Sequence, residues 1–206
     1  MKSLLEKGVL LSRERPLLLA SASPRRRELL ELAGIPFEVV SAGADEAVLP
    51  GEAPLAYVAR VARAKLEAAL GRLPEDLRRR GAVVLAADTA VIVGDRVLGK
   101  PNDDAEGREM LRALSGRTHE VATAFALGDP RTGRVLTERT VRTRVVFRPL
   151  SEAEIGAYVA TGEGRDKAGG YAIQGHAGAL VLGIEGSHTN VIGLPTAELV
   201  MELARL

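Results

Sequence analysis

The chain has 206 residues, 46% hydrophobic and 27% charged, which is the balance of a folded globular protein and excludes wholesale disorder. With 28 basic and 27 acidic residues the formal net charge is +1, so no global field holds a nucleic-acid backbone or an anionic membrane, and an anionic ligand must be met by a local cluster. Cysteine is absent, which excludes disulfides, thiolate metal sites and a cysteine nucleophile.

The N-terminal MKSLLEKGVLLSRERP is interrupted by Glu6, Lys7, Arg13, Glu14 and Arg15, so neither a signal peptide nor an anchor is predicted. No apolar run approaches the ~20 residues of a membrane span, and a reducing, cytoplasmic setting fits. At this length a single domain over residues 1–206 is expected, with residues 1–15 as an extension. PLLLA at 16–20 reads as a buried strand. In the following SASPRRRELLELAG, Ser23 is placed to cap a helix, Pro24 to occupy its first position and Gly34 to close it. FEVVSAG reads as a second strand, and residues 54–70 as a helix with Leu55, Val58, Ala59, Ala62, Leu66 and Ala69 on one stripe and Lys65 at its edge. GAVVLAADTAVIVGDRVLGKP predicts a long strand, a Gly94-Asp95 turn and a short return strand ending at Lys100. A helix over 103–114 follows, then two alternating strands, THEVATAFAL and RVLTERTVRTRVVF, around the turn GDPRTG. Ser151 and Glu154 form a capping box for the next helix. Residues 162–193 are glycine-rich and irregular with interleaved apolar positions, as in a segment lining a site, and a last helix covers about 195–205.

The densest chemical signal is SASPRRR at 21–27, where Ser21 and Ser23 precede a helix N-terminus carrying Arg25 and Arg26. Backbone N–H groups, the positive helix end and arginine forks together favour a phosphate. The bland alternative is a capped helix with a solvated basic turn, which leaves unexplained why arginines oppose the dipole. Asp88 lies inside the apolar run VVLAADTAVIV and needs a cationic partner, a metal or an opening to water. Asp45 and Glu46, after the second strand, are the nearest candidates for further ligands to a hard cation, or else an ordinary solvated loop. Only five basic residues are lysines, Lys2, Lys7, Lys65, Lys100 and Lys167, so Lys65 and Lys100 stand out against the arginines as compact charges able to neutralise a triphosphate. Gln174, flanked by small residues in DKAGGYAIQGHAG, carries an amide able to read a nucleobase edge. His119, His176 and His188 have no metal-ligand spacing and read as surface or loop residues.

The segments LLLASASPRRRELLELAG, ARAKLEAA, AADTAVIVGDRVLGKP, MLRALSGRTHEV and DKAGGYAIQG with NVIGLP, in that order from Leu17 to near Ala204, resemble the Maf proteins. The resemblance implies an α/β fold of the Maf/ITPase-like type: a mixed, twisted sheet flanked by helices, with two lobes around a substrate cleft and a possible homodimer. It further implies hydrolysis of a nucleoside triphosphate between the α and β phosphates, assisted by a divalent cation, Mg2+ or Mn2+. By motif, Asp88 is the expected base, Asp88 and Glu46 the metal ligands, and Lys65 and Lys100 the catalytic cations. Ser21, Ser23, Arg25, Arg26, Thr89 and Gln174 are the expected substrate contacts. The AIQG form resembles the branch acting on dTTP and UTP. HTNVIGLP lacks the tyrosine often found before NVxGLP, and AGADE is less acidic than usual. Alternatives are a pyrophosphatase for 7-methyl-GTP or modified nucleotides, and a nucleotide-binding regulator linked to septum formation. A nucleic-acid-binding module is disfavoured by three Phe, three Tyr, no Trp and the near-zero net charge.

Overall fold

The computed structural model describes residues 11–41 and 43–206. Most of the N-terminal extension therefore lies outside the described residues. The chain divides into two compact units: the first contains residues up to 88, 123–140 and 193–206, and the second contains residues 89–122 and 141–192.

In the first unit, β1 (Leu17–Ala20) is buried at all four positions. A strand covered on both faces needs no polar alternation, which is why its sequence is a plain apolar run. It pairs in parallel with β2 (Phe37–Val39) on one side and with β3 (Val83–Val93) on the other, in the register Leu17 to Val83 through Ala20 to Ala86. Helix α1 (Pro24–Leu32) follows β1, and α2 (Pro54–Arg72) buries Val58, Val61, Ala62, Lys65, Leu66, Ala69 and Leu70. The predicted stripe is thus corrected: Ala59 is exposed, Leu55 is half-buried, and Lys65 sits within the buried face instead of at its edge. Helix α3 (Glu75–Arg80) was not predicted, because it buries none of its residues and so has no apolar period to read. Leu18, Ala20, Leu66, Leu70, Val84 and Ala126 form the core of this unit.

The second unit begins within β3, which turns at Gly94 (φ 59°) into the antiparallel β4 (Arg96–Leu98). Helix α4 (Asp104–Leu114) is capped by Asp103, whose carboxylate accepts the Glu106 N–H at 2.8 Å. The long strands β5 (Thr118–Gly128) and β6 (Val135–Phe147) contribute to both units. Helix α5 (Glu152–Ala160) opens with the expected capping box: Ser151 Oγ accepts the Glu154 N–H, and the Glu154 carboxylate accepts the Ser151 N–H at 2.8 Å. The glycine-rich segment expected to be irregular contains two short 3-10 turns, a strand β7 (Val181–Glu185) paired antiparallel to β6, and a short helix α6 (His188–Ile192). Phe147, Leu111, Leu114, Ile155, Val145 and Tyr171 belong to the core of this unit. Helix α7 (Thr196–Leu203) returns the chain to the first unit. The sheet has seven strands in the order β2-β1-β3-β5-β6-β7, with β4 on β3, and mixes parallel with antiparallel pairs as expected of the α/β class. Among the described residues no helix is long and apolar enough to cross a membrane.

Candidate active site

Asp88 is carried on β3 and is only 7% exposed. Of the partners its burial demanded, the fold supplies a cation: Lys65 Nζ donates to Asp88 Oδ1 at 2.7 Å. The same ammonium lies 2.9 Å from Glu46 Oε1, so one buried lysine joins the two carboxylates. Lys65 is 8% exposed, whereas the Glu46 side chain is 54% exposed. The Asp88 arm therefore acts in low dielectric and the Glu46 arm is screened by water.

Glu46 stands in a loop without regular structure, yet α2 holds that loop at several points. Tyr57 donates its hydroxyl to the Glu46 carbonyl at 3.2 Å, and Arg60 donates Nη2 to the Ala47 carbonyl at 2.8 Å. Arg60 also grips Glu52 with Nε and Nη2 at 2.6 and 2.8 Å, and Glu52 in turn accepts the Leu49 N–H at 3.1 Å. Desolvation, reinforced by the negative charges of Asp88 and Glu46, pushes the Tyr57 phenol above its ordinary value. The sequence reading does not include Tyr57, Arg60 or Glu52; the available signal is the i, i+3 spacing of Tyr57 and Arg60 on the helix that bears Lys65, with Glu52 just before its start. Asp45 makes a local bond, its Oδ1 accepting the Ala47 N–H at 2.9 Å.

The SASPRRR segment forms a turn organised by Ser21, whose buried hydroxyl accepts Arg26 Nη1 at 2.9 Å and the Ser23 N–H at 3.3 Å. Ser23 occupies the cap position of α1, but its side chain makes no capping bond, contrary to expectation. Arg26 is buried, and its Nε donates to the Gly193 carbonyl at 2.8 Å, tying α1 to the start of the C-terminal segment. Burial pulls its pKa down, and Arg25 adds to that, while Asp88 and Glu46 oppose it; an arginine stays protonated throughout. Two donors of the Arg26 fork are thus used by the fold, a framework role not read from the sequence. Arg25 is half-exposed on the first turn of α1.

Asp88, Glu46, Lys65, Ser21, Ser23, Arg25 and Arg26 all belong to the first unit; Thr89, Lys100 and Gln174 belong to the second. Thr89 follows Asp88 on β3 and so points to the opposite face of the strand. Lys100 is exposed just after β4, and Gln174 is exposed between the two 3-10 turns. His119 corrects the surface reading: it is 3% exposed on β5, its Nε2 is 2.7 Å from the Tyr171 hydroxyl, and it packs edge-on against Phe147.

Among the described residues no group of three His, Cys, Asp or Glu side chains is arranged to hold a metal. Asp88 and Glu46 are a pair held to one cationic point by Lys65. Two carboxylates suit Mg2+, which usually takes one or two from the protein and the rest of its oxygens from water and substrate phosphates. Asp88 also has a second oxygen beyond the one bonded to Lys65, available to orient or deprotonate a water.

A solved structure of a HAM1 protein from Coxiella burnetii is similar at 16% identity and a TM-score of 0.47, covering 93% of this chain and all of that one, a likeness too distant to bear on function. A dTTP/UTP pyrophosphatase of Anaeromyxobacter sp. (strain Fw109-5) is 54% identical over 192 residues, which is 92% of this chain and 88% of the relative. Another, from Geotalea uraniireducens (strain Rf4), is 50% identical over 92% of this chain and 94% of the relative, and one from Myxococcus xanthus (strain DK1622) is 52% identical over 92% and 91%. The family model described as Maf-like protein matches residues 16–206. The chain belongs to the Maf-like protein family.

Proposed function

We propose that this chain is a nucleoside triphosphate pyrophosphatase that hydrolyses dTTP and UTP to the nucleoside monophosphate and pyrophosphate. The observation that carries the reaction class is the buried Lys65 joining Asp88 and Glu46, in a chain about half identical over nearly its whole length to proteins named dTTP/UTP pyrophosphatase.

In this reading the Asp88 oxygen not bonded to Lys65 takes a proton from water, the water oxygen forms a bond to the α-phosphorus, and the bond from that phosphorus to the bridging oxygen breaks. Pyrophosphate carries away the electron pair of the broken bond. Lys65, fixed by its two carboxylate partners, offers positive charge near the reacting phosphates without having to reorganise. Arg25 and Lys100 serve the outer phosphates, Ser21 and Arg26 hold the turn that receives them, and Thr89 and Gln174 act in substrate choice. A divalent cation, Mg2+ or Mn2+, would be held by Asp88 and Glu46 and would supply neutralisation of phosphate charge. The base preference rests on the names of the relatives and on the AIQG segment around Gln174.

Product analysis with dTTP, UTP, CTP and 7-methyl-GTP tests the reading. Pyrophosphate with dTMP and UMP is expected, at the highest kcat/KM of the panel. Release of orthophosphate would overturn the reaction, and preference for 7-methyl-GTP would overturn the base assignment.

A further inference from the structure

In the second unit the segment Tyr171–Ala177, which carries Gln174, has little regular structure of its own and is fastened by side chains from elsewhere. Tyr171 is anchored at one end, its hydroxyl on His119 and its ring edge-on to Phe147 at 4.9 Å. Ala172 donates its N–H to the Tyr158 hydroxyl at 3.1 Å. At the other end a single carboxylate gathers the chain: Glu163 Oε1 accepts the His176 N–H at 3.0 Å and Oε2 faces the Ala177 N–H at 3.4 Å. The same carboxylate pairs with His176 Nδ1 at 3.2 Å and is hydrogen-bonded to Tyr158. Partial burial works to raise the Glu163 pKa, but these bonds outweigh it and hold the carboxyl below its ordinary value.

Gly175 explains how the carboxylate comes so close. A Cβ at this position would collide with Glu163 Oε1, so the missing side chain leaves room for the clamp. Between the two anchored ends, Gln174 is exposed, and among the described residues its amide has no protein partner. The loop is fastened at both ends around a polar group that has no protein partner among the described residues.

We propose that Glu163 is a positioning residue for substrate selection, clamping the Ala172–Ala177 turn so that the Gln174 amide is presented to the nucleobase in one fixed place. This rests on the reading that Gln174 contacts the base. A glutamine that had to be ordered on binding would lose part of its discrimination to conformational entropy, and a clamped loop avoids that loss.

The full chain tests this through kcat/KM for dTTP and for CTP in Gln174→Ala, Glu163→Gln and the double variant, with amide hydrogen exchange at His176 and Ala177. Gln174→Ala should lower the dTTP-to-CTP ratio about tenfold, the weight of one hydrogen bond to the base. Glu163→Gln should lower the same ratio and speed exchange at both amides, while the double variant should be no less selective than Gln174→Ala alone. If Glu163→Gln slows both nucleotides by one factor and leaves the ratio intact, the clamp has no part in selection and the proposal falls, with the Gln174 reading untouched. A ratio unchanged by Gln174→Ala overturns both. Should Glu163→Gln fail to fold, Gly175→Ala serves instead, since its methyl displaces the carboxylate while keeping it; an unchanged ratio there also refutes the proposal.

Discussion

Removing the Lys65 ammonium while keeping its length is the sharpest perturbation of the candidate site. In Lys65→Met, Asp88 stays 7% exposed but loses the cation at 2.7 Å. Stranding one partner of a buried pair costs about 3–5 kcal/mol. The Glu46 arm adds at most about 1 kcal/mol, because a half-exposed carboxylate is screened. The low end, about 3 kcal/mol, applies because Asp88 retains a little contact with water. For a chain of this size that lowers Tm by roughly 6–12 °C. Urea unfolding measures the loss, and a double-mutant cycle with Asp88→Asn assigns it. Asp88→Asn leaves Lys65 with Glu46 and should cost less, and the double variant should regain about 1.5 kcal/mol or more relative to additivity. Turnover should separate from stability: it falls about 100-fold or more in Lys65→Met and stays low in the recovered double variant. A loss below about 1 kcal/mol, or strict additivity, would refute the claim that the pair compensates a buried charge.

Three further outcomes follow from named contacts. Burial depresses the His119 pKa from 6.5 to about 4. The unfolded chain therefore takes up a proton below about 6.5 that the folded chain refuses until about 4, so stability is lost as pH falls through that window and levels off below it. The loss approaches about 3 kcal/mol, and His119→Gln should flatten the urea midpoint between pH 7 and pH 4.5 by most of it; an unchanged pH slope would exclude His119 as the cause. Arg26→Lys cannot reach both the Gly193 carbonyl and Ser21 Oγ, and should cost about 1.5–3 kcal/mol in chemical unfolding; a change within error would refute the framework role. Arg60→Met removes the bonds by which α2 holds the Ala47 carbonyl and Glu52, so amide exchange in the Glu46 loop should accelerate while that of β1 is unchanged, and equal protection would show the loop is held otherwise.

What the sequence made legible follows from how local each feature is. The buried strand β1, the Gly94 hairpin and the Ser151 to Glu154 capping box are set by residues within a few positions of one another, and each appears as expected. Lys65 is half legible: Val58, Val61, Ala62, Leu66 and Ala69 spell the buried face of α2, and a lysine among them implies a buried, paired ammonium in place of the expected edge position. The inward turn of Arg26 was not legible, because its acceptor is a carbonyl 167 positions away. His119 meets Tyr171 across 52 positions, so spacing rules for histidine could only call it unremarkable. Anchors on loops are harder still, since Tyr57, Arg60 and Glu163 bond to backbone atoms, and backbone donors and acceptors leave no mark in side-chain patterns.

The charge balance of the first unit bears on why carboxylates stand at a site proposed for a polyphosphate. Lys65 offsets Asp88 directly and Glu46 in part, so this trio on its own has no positive surplus to attract phosphate. Arg26 is committed to Gly193 and Ser21, and its charge is balanced against the same two carboxylates. A triphosphate entering such a site would face two anions at close range, and each unscreened pair at about 4 Å costs about 4 kcal/mol at the dielectric of a protein surface. A mere binder of nucleotides would gain by replacing Asp88 and Glu46 with neutral groups. Their presence makes sense where a divalent cation arrives with the substrate and a base is needed for water. Both readings have Asp88→Asn tighten nucleotide binding measured without metal, and they part at turnover: the enzyme loses with that substitution a metal-supported pyrophosphate release that a pure binder never shows.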